Sequence, residues 1–222
     1  MSDAVAVITV DGPSGSGKGT VSQLVADTLG WHMLDSGALY RLTGYAVEKG
    51  GIGFDNPKKA AEVAANLQVR FEHGKIFLDG EDVSLAIRTE TAGNNASKVA
   101  AMPPVRDALL DWQRRSAVAP GLVADGRDMG TTVFPQAPLK IFLTASAEER
   151  AQRRYKQLME KGISANVSDL AAEIRERDER DQNRSTSPLV PAADALQIDS
   201  TQMSIDQVVE TILQAARERG LQ

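Results

Sequence analysis

The chain has 222 residues, of which 42% are hydrophobic and 25% charged, a balance typical of a globular protein. Its net charge of -5 argues against broad binding to nucleic acids or anionic membranes, so an anionic ligand needs a local group of arginines. The absence of cysteine excludes disulfides and cysteine-ligated zinc. No apolar run approaches the roughly 20 residues of a membrane span, and we expect a cytoplasmic protein.

The first predicted elements surround a glycine-rich segment. An apolar, β-branched run predicts a strand from about Ala4 to Val10, and helical spacing predicts a helix over Lys18–Leu29 that ends at Gly30. Between them, residues 12–20 contain four glycines and one lysine. In this strand–loop–helix context, backbone N–H groups and a helix N-terminus bind the phosphates of a nucleotide.

The glycine-rich segment fits the pattern G-x-x-x-x-G-K-[ST] from Gly12 to Lys18, except that Gly19 precedes Thr20. Lys18 can reach the β- and γ-phosphates as a mobile point charge. The alternative is a glycine-rich turn without a ligand. The elements on both sides of the segment favour the phosphate site.

A second strand and helix follow. The short apolar run Trp31–Leu34 leads into Asp35-Ser36-Gly37, and the next helix ends at Gly50-Gly51. Ser36 taken alone is best interpreted as the N-cap of that helix.

The pattern then changes to an antiparallel insertion. Asn56-Pro57 predicts the start of a short alanine-rich helix. Apolar residues alternate over residues 69–78, around His73-Gly74, and predict a β-hairpin. Pro103-Pro104 marks the far boundary of the insertion. The helix after it is predicted to turn one apolar face inward, formed by Val105, Ala108, Leu109 and Trp112.

The alternation of strands and helices then resumes. The predicted elements are strands over Leu122–Ala124, Leu139–Leu143 and Leu196–Ile198, a helix capped by Ser146 and Glu149 that ends at Gly162, a charged helix over about Asp169–Asn183, and a final amphipathic helix. This order predicts an α/β fold with a parallel sheet and right-handed crossovers.

Charged residues follow the strand over Leu122–Ala124. Asp125 lies where open α/β sheets bind ligands and can hold a water of a Mg²⁺ shell; a turn aspartate before Gly126 is the alternative. Arg127 and Asp128 come next in the chain. They are interpreted either as residues that contact a ligand or as an ordinary surface ion pair.

Other charged residues lie on the predicted helices. Arg177, Asp181 and Arg184 have the spacing i, i+4, i+7 and share one helical face. Two guanidiniums beside a carboxylate can hold a phosphate and ribose hydroxyls, and a solvated salt-bridge face is the alternative. Arg106, at the start of its helix, is unremarkable from its position alone.

The motifs together resemble those of bacterial cytidylate kinases, within the nucleoside-monophosphate kinases. The segments that carry the resemblance are Asp11–Thr20, Leu34–Arg41, Asp125–Thr131, Arg175–Arg184 and Pro188–Ala195. They span nearly the whole chain. The additional glycine at position 19 fits the Gly-Lys-Gly-Thr form of monophosphate kinases.

The resemblance implies a P-loop NTPase fold and a reaction. Its parts are a parallel-sheet core over about 1–50 and 103–222, a monophosphate-binding insert over about 51–102, and a mobile lid over about 150–168. The implied reaction transfers the γ-phosphate of ATP, with Mg²⁺, to CMP or dCMP, giving ADP and CDP or dCDP in pyrimidine nucleotide metabolism. Partners would be these nucleotides alone, without nucleic acid or membrane, and we expect a monomer.

The resemblance also assigns residues. The ATP-binding residues would be Gly12, Pro13, Ser14, Gly15, Ser16, Gly17, Lys18, Gly19 and Thr20. The α-phosphate of the monophosphate would bind to Arg41, Arg127 and Arg184, the cytidine moiety to Ser36, Ser97, Arg106 and Asp128, and the pentose to Arg177 and Asp181. The catalytic residues would be Lys18, Arg127 and Arg184 with the lid arginines Arg153 and Arg154. Thr20 would lie on the metal side, and Asp125 would hold the metal through water.

Two alternatives remain open from the sequence. The same fold can phosphorylate another acceptor, such as UMP or a small metabolite. A GTPase-like switch is a different class of protein, and it needs an Asn-Lys-x-Asp motif that the chain lacks. The one Asp-x-x-Gly match, Asp27 to Gly30, falls at a helix end rather than after a strand.

Overall fold

A computed structural model describes residues 5–72, 75–160, 162 and 164–221 of the chain. In chain order its elements are β1 (Val7–Asp11), α1 (Lys18–Leu29), β2 (His32–Asp35), α2 (Ser36–Lys49), α3 (Pro57–Ala65), β3 (Val69–Glu72), β4 (Lys75–Leu78), β5 (Glu81–Asp82), a 3₁₀ turn (Ala86–Arg88), α4 (Glu90–Ala100), α5 (Pro103–Arg115), β6 (Leu122–Gly126), a π-turn (Met129–Val133), β7 (Leu139–Thr144), α6 (Ala147–Glu160), α7 (Val167–Asn183), β8 (Leu196–Asp199) and α8 (Ile205–Glu218).

The chain divides into two compact units. The first consists of Met1–Leu34 with Ser116–Gln222, and the second of Asp35–Arg115. The predicted insert, about 51–102, lies inside the second unit. That unit also contains α2 and α5, because α2 packs on α4 and α5 packs on α3. The division into core, insert and lid by function stays a prediction.

The first unit is built on a five-stranded sheet with the order β2-β6-β1-β7-β8. The central strand β1 pairs in parallel with β6 and β7, and β7 pairs in parallel with β8. Every residue of β1 is buried, as its apolar run predicts. The core cluster joins this sheet to α1 and α8 through residues such as Val25 and Ile212. The predicted α/β fold is confirmed.

The start of α1 and its end agree with the sequence. The helix spans Lys18–Leu29, and Gly30 ends it at φ 65°, a left-handed conformation that glycine adopts without steric cost. Strand β1 begins at Val7, three residues later than expected, and Ala4 lies outside the described residues.

The second unit contains the predicted antiparallel hairpin. Strands β3 and β4 pair antiparallel, with Val69 opposite Leu78, while the predicted turn at His73-Gly74 lies outside the described residues. A two-residue strand, β5, extends the sheet and was too short to predict. Leu42, Leu78, Val83 and Ile87 form a buried cluster of this unit.

One local prediction was wrong, and two others were only partly correct. Asp35, not Ser36, caps α2, because its carboxylate accepts from the N–H of Ala38. On α5 the buried positions include Arg106 and Gln113, while Ala108 and Trp112 are only half-buried. The capping box of α6 is half formed.

At the half-formed capping box, Ser146 Oγ accepts from the N–H of Glu149 at 3.2 Å, as predicted. The carboxylate of Glu149 does not return to the backbone of Ser146. It accepts from Arg153, and the N–H of Ser146 donates to Thr201 Oγ1 at 3.0 Å. Tertiary partners therefore replace half of a local motif.

The packing of α2 on α4 gives a stability prediction for the second unit. A Cβ at Gly44 would lie 2.9 Å from the carbonyl carbon of Asn95, closer than side chains approach backbone atoms. We expect Gly44→Ala to lower the free energy of unfolding by about 1–3 kcal/mol, because the overpacking outweighs the better helix propensity of alanine. Chemical denaturation measures this change. The control is Glu48→Ala, an exposed change on the same helix that we expect to stay within about 0.5 kcal/mol; an unchanged Gly44→Ala variant would contradict the contact.

Candidate active site

The glycine-rich loop connects β1 to α1 in the first unit. Gly12 has a φ of 151°, and a Cβ there would lie 2.0 Å from the carbonyl oxygen of Leu143 on β7. Gly17 caps α1 at a φ of 91°. Only glycine permits both the close approach and the left-handed turn, so the loop conformation depends on these two positions.

Lys18 lies within the loop. Its side chain is buried, and its Nζ donates to the carbonyl of Pro13 at 2.9 Å. Asp125, at the end of β6, places Oδ1 4.0 Å from the same Nζ. Burial lowers the pKa of Lys18, and Asp125 opposes this shift. The ammonium is thus held at the loop by one carbonyl and one carboxylate.

Helix α6 contacts the outer side of the loop through two arginines. Arg150 Nη1 donates to the carbonyl of Ser14 at 2.9 Å, and Arg153 Nη1 donates to the carbonyl of Ser16 at 3.3 Å. Arg153 also donates to the carbonyl of Ser200 at 2.8 Å. The resemblance assigned Arg153 and Arg154 to the lid, and here Arg153 contacts backbone on both sides of a cleft.

That cleft is a cavity of about 540 Å³ beside the loop. Its walls are the loop itself, the start of α1, the α6 residues Arg153 and Gln157, and the segment after β8 that contains Met203 and Ile205. It therefore combines backbone N–H groups and a guanidinium with apolar side chains. This mixture suits a ligand with an anionic end and a flat apolar end.

The residues predicted for a metal lie at the same loop. A Cβ at Gly19 would be 3.4 Å from Asp125 Oδ2, which places this carboxylate against the start of α1. Thr20, in the first turn of α1, is exposed. In the described part of the chain, no group of three or more metal-ligating side chains occurs. Mg²⁺ in phosphate sites uses one or two protein oxygens and the phosphates, so Asp125 and Thr20 fit that ion.

A second charged cluster begins at the end of β6. Arg127 Nε donates to Asp181 Oδ2 at 2.5 Å. Burial opposes ionisation of Asp181, but Arg127, Arg177 and Arg184 outweigh it and hold the pKa of this carboxyl below its usual range. The predicted group of two arginines and a carboxylate therefore exists, with Arg127 as a further member.

The prediction that Arg177, Asp181 and Arg184 share one helical face was only partly correct. Helix α7 ends at Asn183, and Arg184 has extended backbone geometry as its C-cap, with Nε donating to the carbonyl of Ser187 at 2.6 Å. Arg184 therefore lies at the end of the helix rather than on its face, and its charge still lowers the pKa of Asp181. The solvated salt-bridge alternative does not describe Asp181, because that side chain is 3% exposed.

Asp11, the last residue of β1, fixes the loop that contains Arg127 and Asp128. Its two oxygens accept from the N–H groups of Met129 and Gly130, each at 2.8 Å. Burial raises the pKa of Asp11 to about 7, although both hydrogen bonds lower it. Asp128 itself is buried and is the residue directly before the π-turn. Asp11 thus links the phosphate loop to the second charged cluster.

The remaining predicted residues belong to the second unit. Ser36 Oγ donates to Gln113 Oε1 at 2.9 Å. Arg41 Nη1 donates to the carbonyls of Ile87 and Thr89, which close the 3₁₀ turn. Arg106 donates to the carbonyl of Ala100 and lies over the ring of Tyr40, and Ser97 is buried on α4. Ser36, Arg41 and Arg106 are thus held by partners of their own unit.

The sequence did not single out Asp11, Arg150 or Asp178. Asp11 carried a local signal, since a carboxylate at the end of a fully apolar strand must find partners. Arg150 and Asp178 carried none, because they pair across 28 residues. The sequence of two charged helices does not show which of their charged residues form a pair, because this depends on how the helices pack.

The raised pKa of Asp11 gives a pH prediction. The folded chain keeps a proton that the unfolded chain releases near pH 4, so this group stabilises most at low pH and its contribution is lost as the pH rises through about 7. We expect the free energy of unfolding of the native chain, minus that of Asp11→Asn, to fall between pH 5 and pH 8. Denaturant titrations at several pH values measure this difference, and a constant difference would contradict the assignment.

Comparison with known proteins is consistent with this geometry. A family model described as cytidylate kinase matches residues 8–218. The cytidylate kinase of Colwellia psychrerythraea is 57% identical over 97% of this chain and 98% of its own length. That of Marinomonas sp. is 59% identical, with 97% of each chain covered.

A solved structure shares the fold. An uncharacterized protein from Eubacterium ventriosum superposes with a TM-score of 0.51 at 11% identity, covering 95% of this chain and 97% of that one. Within the described residues, no helix has the length and apolar character needed to cross a membrane. The family match runs through both units and the relatives match over nearly their whole length, and on that basis this chain belongs to the cytidylate kinase family.

Proposed function

We propose that the chain transfers the γ-phosphate of ATP to CMP or dCMP, giving ADP and CDP or dCDP. The observation that supports this most directly is the juxtaposition of two sites for anions on neighbouring parallel strands. The glycine-rich loop follows β1, Arg127 follows β6, and Asp11 lies opposite Gly126 in the register of these strands. Phosphoryl transfer requires a donor and an acceptor held at one edge in this way.

The loop and the cavity beside it are proposed to bind ATP. Backbone N–H groups of residues 12–20 would hold the phosphates, and Lys18 would exchange its bond to Pro13 for the transferring phosphate. The apolar part of the cavity, with Met203 and Ile205, would take the base.

The cluster around Asp181 is proposed to bind the monophosphate. Arg127 and Arg184 would hold its α-phosphate, and Arg177 and Asp181 would contact its pentose. Asp181 is suited to accept hydrogen bonds from sugar hydroxyls because its neighbours keep it ionised. The second-unit residues Ser36, Arg41, Ser97 and Arg106, together with Asp128, would contact the α-phosphate and the cytidine moiety, as the family resemblance implies.

The reaction then needs no protein nucleophile. An oxygen of the acceptor phosphate attacks the γ-phosphorus while ADP leaves on the opposite side, and positive charge around the transferred group stabilises the transition state. Lys18, Arg127 and Arg184 would supply that charge. A Mg²⁺ ion on the side of Thr20, held by Asp125 through water, would neutralise phosphate oxygens of the donor when bound.

The segment over about 150–168 is proposed to act as a lid, with Arg154 contacting phosphate on closure and excluding water. Within it, Ala151 packs with Leu170 and Ala171 of α7 in a small apolar cluster separate from the main core. We further propose a monomer that acts on free nucleotides in the cytoplasm.

An acceptor panel tests the proposed reaction. ADP release from MgATP is coupled to an optical signal, and CMP, dCMP, UMP, AMP and no acceptor are compared at equal concentration. We expect kcat/KM for CMP and dCMP to exceed that for UMP and AMP at least tenfold. A preference for UMP or AMP would assign the fold another acceptor, and equal hydrolysis without acceptor would point to a nucleotide switch.

Removal of Arg184 tests the acceptor site. We expect Arg184→Ala to lower kcat/KM for CMP by about 100-fold or more, because one charge that faces the α-phosphate is lost. Arg180→Ala is the matched control, since Arg180 lies in the last turn of α7, shortly before Arg184, and pairs with the exposed Glu176 at 3.4 Å. Wild-type turnover in Arg184→Ala, with an unchanged melting temperature, would reject the assignment.

A further inference from the structure

The carbonyl groups of the phosphate loop have unusual partners. A loop that binds an anion with converging N–H groups must turn its carbonyls outward, since the C=O of one residue and the N–H of the next point in opposite directions across a trans peptide. Outward carbonyls in a buried setting need donors. The carbonyl of Ser14 finds its donor in Arg150.

Arg150 is poorly placed to act as a mobile lid arginine. Its side chain is 5% exposed, and its Nε donates to the carbonyl of Ala145 at 2.9 Å. Its Nη1 and Nη2 both bond the carboxylate of Asp178 on α7, with Nη1 to Oδ1 at 3.0 Å. Its aliphatic stem lies against the loop, 3.5 Å from where a Cβ of Gly15 would be. All three nitrogens of the guanidinium therefore donate hydrogen bonds within the protein.

We propose that Arg150 is a positioning residue for ATP. By holding the carbonyl of Ser14, it fixes the direction of the next N–H, that of Gly15, in the anion-binding loop. Asp178 orients Arg150 through the two-point contact and thereby acts on the loop from α7. This inference rests on the proposed function, because it names ATP as the ligand of the loop.

Three variants test the pair. Arg150→Met keeps the stem and removes the guanidinium, and we expect the Kd of MgATP by calorimetry and the KM for ATP to rise at least tenfold, with KM for CMP changed less than threefold. Asp178→Asn leaves Arg150 in place but weakens its orientation, so we expect a rise of threefold to tenfold. The double variant should equal Arg150→Met alone, because Asp178 acts only through Arg150.

The matched control separates loop positioning from helix packing. Arg175 joins the same two helices, since it pairs with Glu148 of α6, and both side chains of this pair are exposed to solvent. We expect Arg175→Met to keep the Kd and KM for ATP within twofold of wild type. An Arg175→Met variant that loses ATP affinity as Arg150→Met does would overturn the inference in favour of helix packing.

The outcomes distinguish this inference from the proposed function. If wild type phosphorylates CMP and Arg150→Met binds MgATP as wild type does, the inference alone is overturned. If the rise in Kd for MgATP in the double variant equals the product of the rises in the two single variants, the role of Asp178 is overturned. If Arg150→Met does not fold, Asp178→Asn decides, and an unchanged Kd for MgATP rejects the proposal. A wild-type chain that neither binds MgATP nor phosphorylates CMP overturns both.

Discussion

The first unit depends on the close approach of the Gly12 backbone to the carbonyl of Leu143 at the end of β7. This approach lets the chain leave the buried strand β1 and turn directly into a loop beside the sheet. The loop then starts α1 with Gly17 and places Lys18 against Asp125 of the neighbouring strand. Any side chain at position 12 would push the loop away from the carbonyl of Leu143 and so change the loop conformation.

Burial gives charged groups their fixed positions in this unit. Lys18, Asp11, Arg150 and Asp181 are all buried, and each is held by hydrogen bonds or opposite charges. A buried charge without partners is costly, so these side chains have little freedom to move. The same arrangement that satisfies them also directs them toward the ends of β1 and β6. The hydrogen bonds and ion pairs that stabilise these buried charges therefore also fix their orientation for binding an anion.

The local elements could be predicted well because their causes are local. The bounds of α1, the caps Asn56 and Gly30, and the antiparallel pairing of β3 with β4 follow from periodicity, capping residues and glycine conformations within a few residues. Predictions failed where a distant partner competed. Thr201 Oγ1 accepts from the N–H of Ser146, and the buried face of α5 includes Arg106. The Ser36 prediction failed for a local reason, because the neighbouring Asp35 caps α2.

The sequence by itself predicted a phosphate-binding loop after the first strand, Asp125 and Arg127 at the end of a later strand, and Arg177 and Asp181 one turn apart on a charged helix. Each conclusion depends on spacing along the chain, which fixes position on a strand or helix. Only the tertiary structure decided which charges meet. Asp11 found two N–H groups after β6, and Arg150 found Ser14 and Asp178, because sheet register and helix packing bring together residues whose separation in sequence carries no signal.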